Sequence, residues 1–234
     1  MNADTLIKTA QAMVAPGKGV LAADESTGTI KKRFDSINVE SVEETRRAYR
    51  DMLFTTAGME DFISGVILFE ETLFQKSSDG TPFSKLLGDK GVIPGIKVDK
   101  GAKPLAGAEG ETVTEGLDGL RERLIEYRNA GARFAKWRAV ITIGDGIPTD
   151  YCIQANAHAL ARYAALCQEQ DIVPIVEPEV LMDADNSLEV CEDVTSRTLQ
   201  AVFAELDRQG VLLEGMLLKP NMVISGKKCA TQAD

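Results

Sequence analysis

The sequence predicts an α/β protein whose core is a parallel β-sheet. Short apolar runs alternate with longer amphipathic stretches along all 234 residues, and each apolar run is bounded by glycine, proline or charged residues. About 30 to 45 residues separate consecutive runs, enough for a helix and a return to the sheet. This alternation favours parallel pairing with right-handed crossovers. Because no proline-, glycine- or serine-rich linker interrupts it, we expect a single domain over residues 1–234.

Six apolar runs are expected to form the strands. Each is short and mostly aliphatic or β-branched, which is typical of strands buried on both faces of a sheet. In chain order the runs are Gly19–Ala23, Ile63–Phe69, Val92–Val98, Phe134–Val140, Ile172–Val176 and Gly215–Leu218.

Three of the intervening segments carry clear helix signals. The sequence Ser41–Glu44 is typical of a capping box, and its helix is expected to close by Gly58. Between Gly116 and Gly131, apolar residues recur on one face of a helix. Ser187 is a candidate N-cap for a further helix that ends before Gly210. The apolar positions of the second segment are Leu117, Leu120, Leu124 and Tyr127.

The sheet is expected to be part of a closed barrel. An open nucleotide-binding sheet would show a glycine fingerprint after its first strand, whereas that loop reads Asp24-Glu25-Ser26-Thr27-Gly28, and neither GxGxxG nor GxxxxGK[ST] occurs in the chain. A TIM (β/α)8 barrel needs eight βα units in about 250 residues. Six runs are present, and the residues after Lys219 are too few for two more units. We therefore expect about the first six units of a TIM barrel.

Composition and charge restrict the partners and the chemistry. The formal net charge of −10 argues against binding nucleic acid or an anionic membrane, because both repel a negative surface. The single histidine, His158, excludes a multi-histidine zinc site within this chain. The four cysteines form no CxxC pair, and the N-terminus lacks the basic and apolar regions of a signal peptide. We therefore expect a cytoplasmic protein with reduced cysteines.

Charged residues gather where the predicted strands end, which is where barrel enzymes place their chemistry. Side chains two positions apart on a strand share a face, so Lys136 points with Arg138, and Glu177 points with Glu179. Any one of these could be an ordinary solvated or paired charge, but charges inside apolar strands are costly unless they are paired or functional. The other members of the set are Asp24, Lys97, Asp99 and Lys219.

Lys219 is the strongest candidate for a nucleophile. It follows Met216-Leu217-Leu218 and precedes Pro220, which cannot continue a sheet ladder. A lysine desolvated near other cations has a lowered pKa and a neutral, nucleophilic amine, which a Schiff-base enzyme requires at neutral pH. His158 and Trp137, in contrast, are expected to be structural.

Eight segments spread along the chain match one known enzyme family. They are Ala15–Gly28, Gly65–Phe69, Gly95–Gly101, Pro104–Gly107, Gly116–Leu120, Phe134–Arg138, Ile172–Glu179 and Leu217–Val223. In these residues the sequence resembles the class I fructose-1,6-bisphosphate aldolases, which act through a lysine Schiff base without a metal. The resemblance implies reversible cleavage of fructose 1,6-bisphosphate to dihydroxyacetone phosphate and glyceraldehyde 3-phosphate, in glycolysis and gluconeogenesis. It also implies that there is no cofactor, and that the full-length form is a homo-oligomer, a tetramer.

The resemblance implies a role for each candidate residue. Lys219 matches the lysine that forms an imine at the C2 ketone, and Glu177 matches the glutamate that moves protons as the imine forms and hydrolyses. Asp24 matches the residue that takes the C4 hydroxyl proton, and Lys136 supplies a positive charge beside it. Glu179 and Arg138 match residues that orient this network. The residues that match the family's site for the phosphate remote from the imine are Lys97, Ser26, Arg33 and, in place of a frequent serine, Thr29.

The departures from the family lie at the C-terminal end. The family's last two strands hold the second phosphate, and its tail ends in a functional tyrosine. We expect this chain to lack both, as a fragment or as a truncated product that works poorly alone. The alternatives are an inactive truncated paralogue or scaffold with the same fold, and a transaldolase-like lysine-imine enzyme. A Mg²⁺ site at Asp24, Glu177 and Glu179 is disfavoured because of the neighbouring cations.

Overall fold

A parallel sheet of six strands organises the fold. The computed structural model describes residues 1–232. In this part of the chain the six strands pair in the order β1–β2–β3–β6–β7–β8, and β4 and β5 form a separate antiparallel hairpin. The strands are β1 (Gly19–Ala23), β2 (Ile63–Leu68), β3 (Ile93–Lys97), β4 (Ala102–Pro104), β5 (Thr112–Thr114), β6 (Phe134–Ile141), β7 (Val173–Val180) and β8 (Leu217–Leu218).

Helices connect the strands, and most of them cover the outer face of the sheet. None of those in residues 1–232 is long and apolar enough to cross a membrane. They are α1 (Ala3–Met13), α2 (Thr27–Asp35), α3 (Glu43–Thr55), α4 (Met59–Phe62), α5 (Glu70–Leu73), α6 (Phe83–Asp89), α7 (Leu120–Asn129), α8 (Asp150–Glu169) and α9 (Leu188–Arg208), followed by a short 3-10 helix at Leu213–Gly215.

All six predicted strands are confirmed, although their bounds differ from those of the apolar runs, most clearly at β7 and β8. β7 extends beyond Val176 to Val180, because its register with β6 pairs Arg138 with Glu177 and Val140 with Glu179. β8 is short because Pro220 follows it closely. The hairpin of β4 and β5 was not predicted, since its three-residue strands show no apolar run.

Of the three predicted helix starts, one agrees with the structure and two differ from it. Ser187 caps α9 as predicted, since its side chain accepts a hydrogen bond from the backbone of the first turn. The cap predicted at Ser41 is wrong. The N–H of Val42 donates to Oγ1 of Thr45 instead, at 3.1 Å, and α3 begins one residue later than a Ser41 cap would require. Leu117 lies before α7 rather than inside it, but still packs against the core.

The sheet curls like the wall of a barrel. Nζ of Lys136, on β6, lies 3.2 Å from Oδ2 of Asp24, which follows β1. Because β2 and β3 lie between these strands, a flat sheet would hold them roughly 14 Å apart. The side chains therefore meet only because the sheet bends. This curved parallel sheet with its outer helices confirms the predicted α/β class and the partial TIM barrel.

The inside of the curved sheet is filled at its amino-terminal end. There α1 packs its buried face, which includes Leu6 and Met13, against side chains of β2, β6 and β7. Phe134 is fully buried in this cluster, and its ring lies over Gly95 of the neighbouring strand. Trp137 is also buried but stacks on Tyr163 of α8, with ring centroids 5.5 Å apart, so its role is packing as predicted. The open space that remains lies at the carboxyl ends of the strands.

Candidate active site

The structure brings the predicted site residues together at the carboxyl ends of the strands. This follows from the topology, because parallel strands place these ends at one rim of the sheet. Asp24 follows β1, and Lys97 ends β3. Ser26 caps α2, which carries Thr29 and Arg33. The residues contributed by β6, by β7 and by the segment after β8 are Lys136 and Arg138, Glu177 and Glu179, and Lys219.

The carboxylate of Glu177 joins two lysines. Its Oε1 accepts a hydrogen bond from Nζ of Lys219, and its Oε2 lies 3.2 Å from Nζ of Lys136. Lys219 reaches this position because its N–H donates to the carbonyl of Val176 at 2.9 Å, which continues the pairing of β7 with β8. Glu177 is only 3% exposed, so its negative charge depends on the two cations.

Lys136 carries its positive charge at the centre of this network. Its Nζ lies 3.2 Å from carboxylate oxygens of both Asp24 and Glu177. Burial lowers the pKa of Lys136, but the negative charges of Asp24, Glu177 and Asp99 outweigh burial, and the pKa is raised above its ordinary value. Lys136 is therefore protonated at neutral pH, and its ammonium lies between the two carboxylates.

Lys219 is less desolvated than the sequence predicted. Its side chain is 52% exposed, while that of its partner Glu177 is 4% exposed. The exposed part adjoins an apolar cavity of about 190 Å³ lined by side chains of β1, β2, β7 and β8. The amine is not deeply buried. Instead, the structure places the Glu177 carboxylate in direct contact with it, where the carboxylate can accept a proton.

A second cavity, of about 350 Å³, lies next to Asp24 and is suited to an anionic group. Oγ of Ser26 lies 3.1 Å from Oγ1 of Thr29 at the N-terminus of α2, where the helix dipole favours negative charge. Nζ of Lys97 donates to Oδ1 of Asp99 at 2.7 Å. The predicted site residues that line this cavity are Asp24, Ser26, Thr29, Arg33, Lys97, Lys136 and Arg138.

Not every cation of this cavity is free to bind a substrate. Arg138 donates to Glu179, and Arg33 donates to Glu25, each from a guanidinium to a carboxylate. A phosphate would therefore share or replace these partners. Glu179 and Arg138 thus contact each other, and the role in orienting the network that the resemblance implies for both stays a prediction.

Three residues of the site had no role in the sequence-based prediction. Asp99 accepts hydrogen bonds from Lys97 and from the backbone of the following loop, and its place on the same face as Lys97 was a visible signal. Glu25 follows Asp24 in the chain, and this position was a weaker signal of a role in the site than that of Asp99. Arg50 contacts Glu25 from α3. Its position in a charged helix is typical of a solvated surface residue, so the sequence carried no sign of it.

His158 lies outside the site, as predicted. Its ring Nδ1 is 3.1 Å from Oε2 of Glu205, which joins α8 to α9 on the outer surface. Cys152, Cys167 and Cys191 are buried free cysteines, in agreement with the reduced state expected of them.

Comparison with known proteins gives a consistent family. The model for glycolytic fructose-bisphosphate aldolase class-I matches residues 5–234. A probable fructose-bisphosphate aldolase class 1 from Xanthomonas campestris is 64% identical over 233 residues, which cover 100% of this chain and 70% of that protein. The cytosolic fructose-bisphosphate aldolase 6 of Arabidopsis thaliana is 59% identical over 231 residues, which cover 99% of this chain and 64% of that protein.

A solved structure agrees with the sequence comparisons. Fructose-bisphosphate aldolase from Plasmodium falciparum, in complex with TRAP and a small-molecule inhibitor, superposes with a TM-score of 0.97 at 56% identity. The match covers 99% of this chain and 67% of that one. The chain thus spans about two thirds of the length of these proteins. Because the family match runs through every strand that carries the site, this chain belongs to the class I fructose-bisphosphate aldolases.

Proposed function

We propose that Lys219 and Glu177 carry the lysine-imine chemistry of a fructose-bisphosphate aldolase in this chain. The reaction is the reversible cleavage of fructose 1,6-bisphosphate to dihydroxyacetone phosphate and glyceraldehyde 3-phosphate. The observation that carries the proposal is the hydrogen bond from Nζ of Lys219 to the buried carboxylate of Glu177. A nucleophile and a proton acceptor in contact are the two groups that imine formation needs first.

Imine formation begins when Lys219 gives up a proton to Glu177. The free amine attacks the C2 carbonyl, and the resulting carbinolamine loses its hydroxyl as water, with Glu177 returning the proton. The iminium then accepts the electron pair of the C3–C4 bond as that bond breaks. Glyceraldehyde 3-phosphate leaves, and the enamine is protonated at C3. Hydrolysis of this iminium releases dihydroxyacetone phosphate and restores the Lys219 amine.

Asp24 is proposed as the base for the C4 hydroxyl proton. Loss of this proton turns C4 into a carbonyl as the C3–C4 bond breaks, so the acceptor must be an ionised carboxylate. The ammonium of Lys136 lies 3.2 Å from the Asp24 carboxylate and pairs with it. The same ammonium lies 3.2 Å from Glu177 and therefore links the two proton acceptors of the reaction.

The phosphate remote from the imine is proposed to occupy the 350 Å³ cavity. Hydroxyls of Ser26 and Thr29 and the ammonium of Lys97 can donate hydrogen bonds to its oxygens. The guanidinium groups of Arg33 and Arg138 lie at the same cavity and add positive charge. A phosphorylated sugar is thus the class of substrate that the site suits.

A cytoplasmic location and a homo-oligomeric assembly also belong to the proposal. The location is supported by the Arabidopsis relative that is named cytosolic. The tetramer implied by the resemblance stays a prediction, as does the single barrel domain over residues 1–234.

Borohydride trapping tests the role of Lys219. We expect reduction in the presence of dihydroxyacetone phosphate to attach the three-carbon phosphate to Lys219, as located by peptide mass spectrometry. Lys219→Arg should abolish the adduct, because a guanidinium does not form an imine. Lys8→Arg, on the exposed side of α1, is the matched control and should trap as the unaltered chain does. An adduct on another lysine, or none in a folded sample, would contradict the proposal and favour a scaffold without catalysis.

A further inference from the structure

Arg50 is a buried arginine behind the loop that carries Asp24. It lies on α3 and its side chain is 0% exposed, which is rare for an arginine. Its NH2 donates to the backbone carbonyl of Glu25 at 2.9 Å, and its Nε donates to the carbonyl of Ala23 at 3.4 Å. These two carbonyls flank Asp24 in the chain. One rigid guanidinium therefore holds the backbone on both sides of Asp24.

The carboxylate of Glu25 compensates the charge of Arg50. Its Oε2 lies 3.4 Å from NH2 of Arg50, and its Oε1 accepts a hydrogen bond from Arg33. Glu25 is itself buried, so neither charge of the pair is stable without the other. The Arg50–Glu25 pair therefore connects the loop of Asp24, the proposed base, with Arg33 of the proposed phosphate site.

We propose that Arg50 is a positioning residue that holds Asp24 in place for the cleavage step. This inference rests on the function proposed above. The carboxylate of Asp24 contacts Lys136 across the curved sheet. The position of this carboxylate depends on the backbone conformation at Asp24. The planar guanidinium contacts two carbonyls at once, which the single ammonium of a lysine cannot do in the same geometry. Arg50 itself does not line the cavity next to Asp24.

Two steps of the reaction should respond differently to loss of the Arg50 contacts. Imine formation with dihydroxyacetone phosphate uses Lys219 and Glu177 and does not involve Asp24. Cleavage of fructose 1,6-bisphosphate uses all three. Loss of the Arg50 contacts should therefore slow cleavage while imine formation continues at its normal rate.

The experiment compares Arg50→Lys with Arg46→Lys in the full 234-residue chain. Arg46 lies one turn earlier on α3, is also largely buried and pairs with Glu71, but does not contact the Asp24 loop. We expect Arg50→Lys to lower single-turnover cleavage about 10- to 100-fold, as misplacement of a reacting group does. Borohydride trapping of dihydroxyacetone phosphate should stay within about twofold of the unaltered chain. Arg46→Lys should preserve both rates, whatever its effect on the melting temperature.

A double-mutant comparison separates positioning from general damage. In an Asp24→Asn background, Arg50→Lys should have almost no further effect on cleavage, because both changes act through one carboxylate. If Arg50→Lys does not fold, Arg50→Gln, whose amide can still donate to one of the two carbonyls, is compared with Arg46→Gln, and the same results are expected. The inference would be overturned if Arg50→Lys cleaved at the same rate as Arg46→Lys. It would also be overturned if Arg50→Lys lowered the cleavage rate by the same factor in the unaltered chain and in the Asp24→Asn background. Failure to trap an adduct in the unaltered chain would instead overturn the proposed function.

Discussion

At the scale of the residue, the site depends on a buried carboxylate shared between two ammonium groups. Glu177 binds Lys219 through one oxygen and lies beside Lys136 through the other. The second lysine stays charged, because the negative charges around it raise its pKa. Glu177 is in direct contact with Lys219, which is the geometry that a proton shuttle needs.

Replacing Glu177 with glutamine should remove this shuttle without changing the size of the side chain. We expect Glu177→Gln to slow turnover by roughly 10²-fold or more, since positioned general acid–base groups contribute on that scale. The measurement is the cleavage rate of fructose 1,6-bisphosphate in a coupled assay, made in the extended protein described below.

Glu205→Gln is the matched control for this substitution. Glu205 is also buried, but it lies on α9 and faces His158. Its substitution should leave the cleavage rate near that of the unaltered chain. Near-normal turnover in Glu177→Gln would show that another acid moves the proton.

At the scale of the element, close packing of neighbouring strands fixes the shape of the barrel wall. Gly95 on β3 is in register with Phe134 on β6, and the phenyl ring occupies the space that a side chain at position 95 would need. The ring therefore fills the curved inner face next to α1, below the rim where Lys97 and Lys136 stand opposite each other. The pairing of β3 with β6 therefore sets both the packing of this ring and the placement of Lys97 opposite Lys136.

Gly95→Ala should destabilise the fold because its methyl group would overlap the ring of Phe134. Overpacking of this kind typically costs about 1–3 kcal/mol. Urea unfolding at constant temperature measures the change in free energy, and Gly95→Ala combined with Phe134→Leu should recover part of it.

Gly88→Ala provides the contrast for Gly95→Ala. Gly88 lies in α6 with nothing within 4 Å of an added methyl group, so alanine should be neutral or stabilising there through its higher helix propensity. Equal stability of Gly95→Ala and the unaltered chain would mean that the ring moves aside freely.

At the scale of the whole molecule, the sheet has two outer edges. Within residues 1–232, β1 and β8 each pair with one strand only. An edge presents unpaired N–H and C=O groups to other chains, and Leu218 and Met222 are exposed at or near the β8 edge. Lys219 is adjacent to this edge, so the stability of the edge and the geometry of the proposed nucleophile are linked.

Extending the chain should improve folding and activity together. We expect fusion to the segment that follows the matched region in the Xanthomonas campestris relative to cover the β8 edge and to reduce self-association. The extended protein should melt more cooperatively and cleave fructose 1,6-bisphosphate faster than the 234-residue chain. Size-exclusion profiles, thermal transitions and coupled-assay rates measure these effects.

Lys219→Arg in the extended protein separates the two gains. It should keep the cooperative melting and lose the cleavage activity. A 234-residue chain that is monomeric, melts cooperatively and is as active as the extended form would contradict this prediction.

The sequence by itself determined the α/β class, the six parallel strands and the set of charged residues at their ends. It could do so because alternation of apolar runs, glycine and proline positions and period-two spacing are local properties of the chain. The resemblance then assigned roles to these charges, from Asp24 to Lys219. The cap predicted at Ser41 was wrong because Thr45 accepts a hydrogen bond from the N–H of Val42, so that the helix starts one residue later.

Only the tertiary structure decided which charges meet. The curvature of the sheet brings Lys136 to Asp24 across two intervening strands, and the register of β7 with β8 brings Lys219 to Glu177. The same is true of Arg50, which a sequence places on a charged helix and the fold buries against the loop of Asp24. These contacts join residues far apart in the chain, and their distances follow from strand register and sheet curvature, which local sequence patterns do not encode.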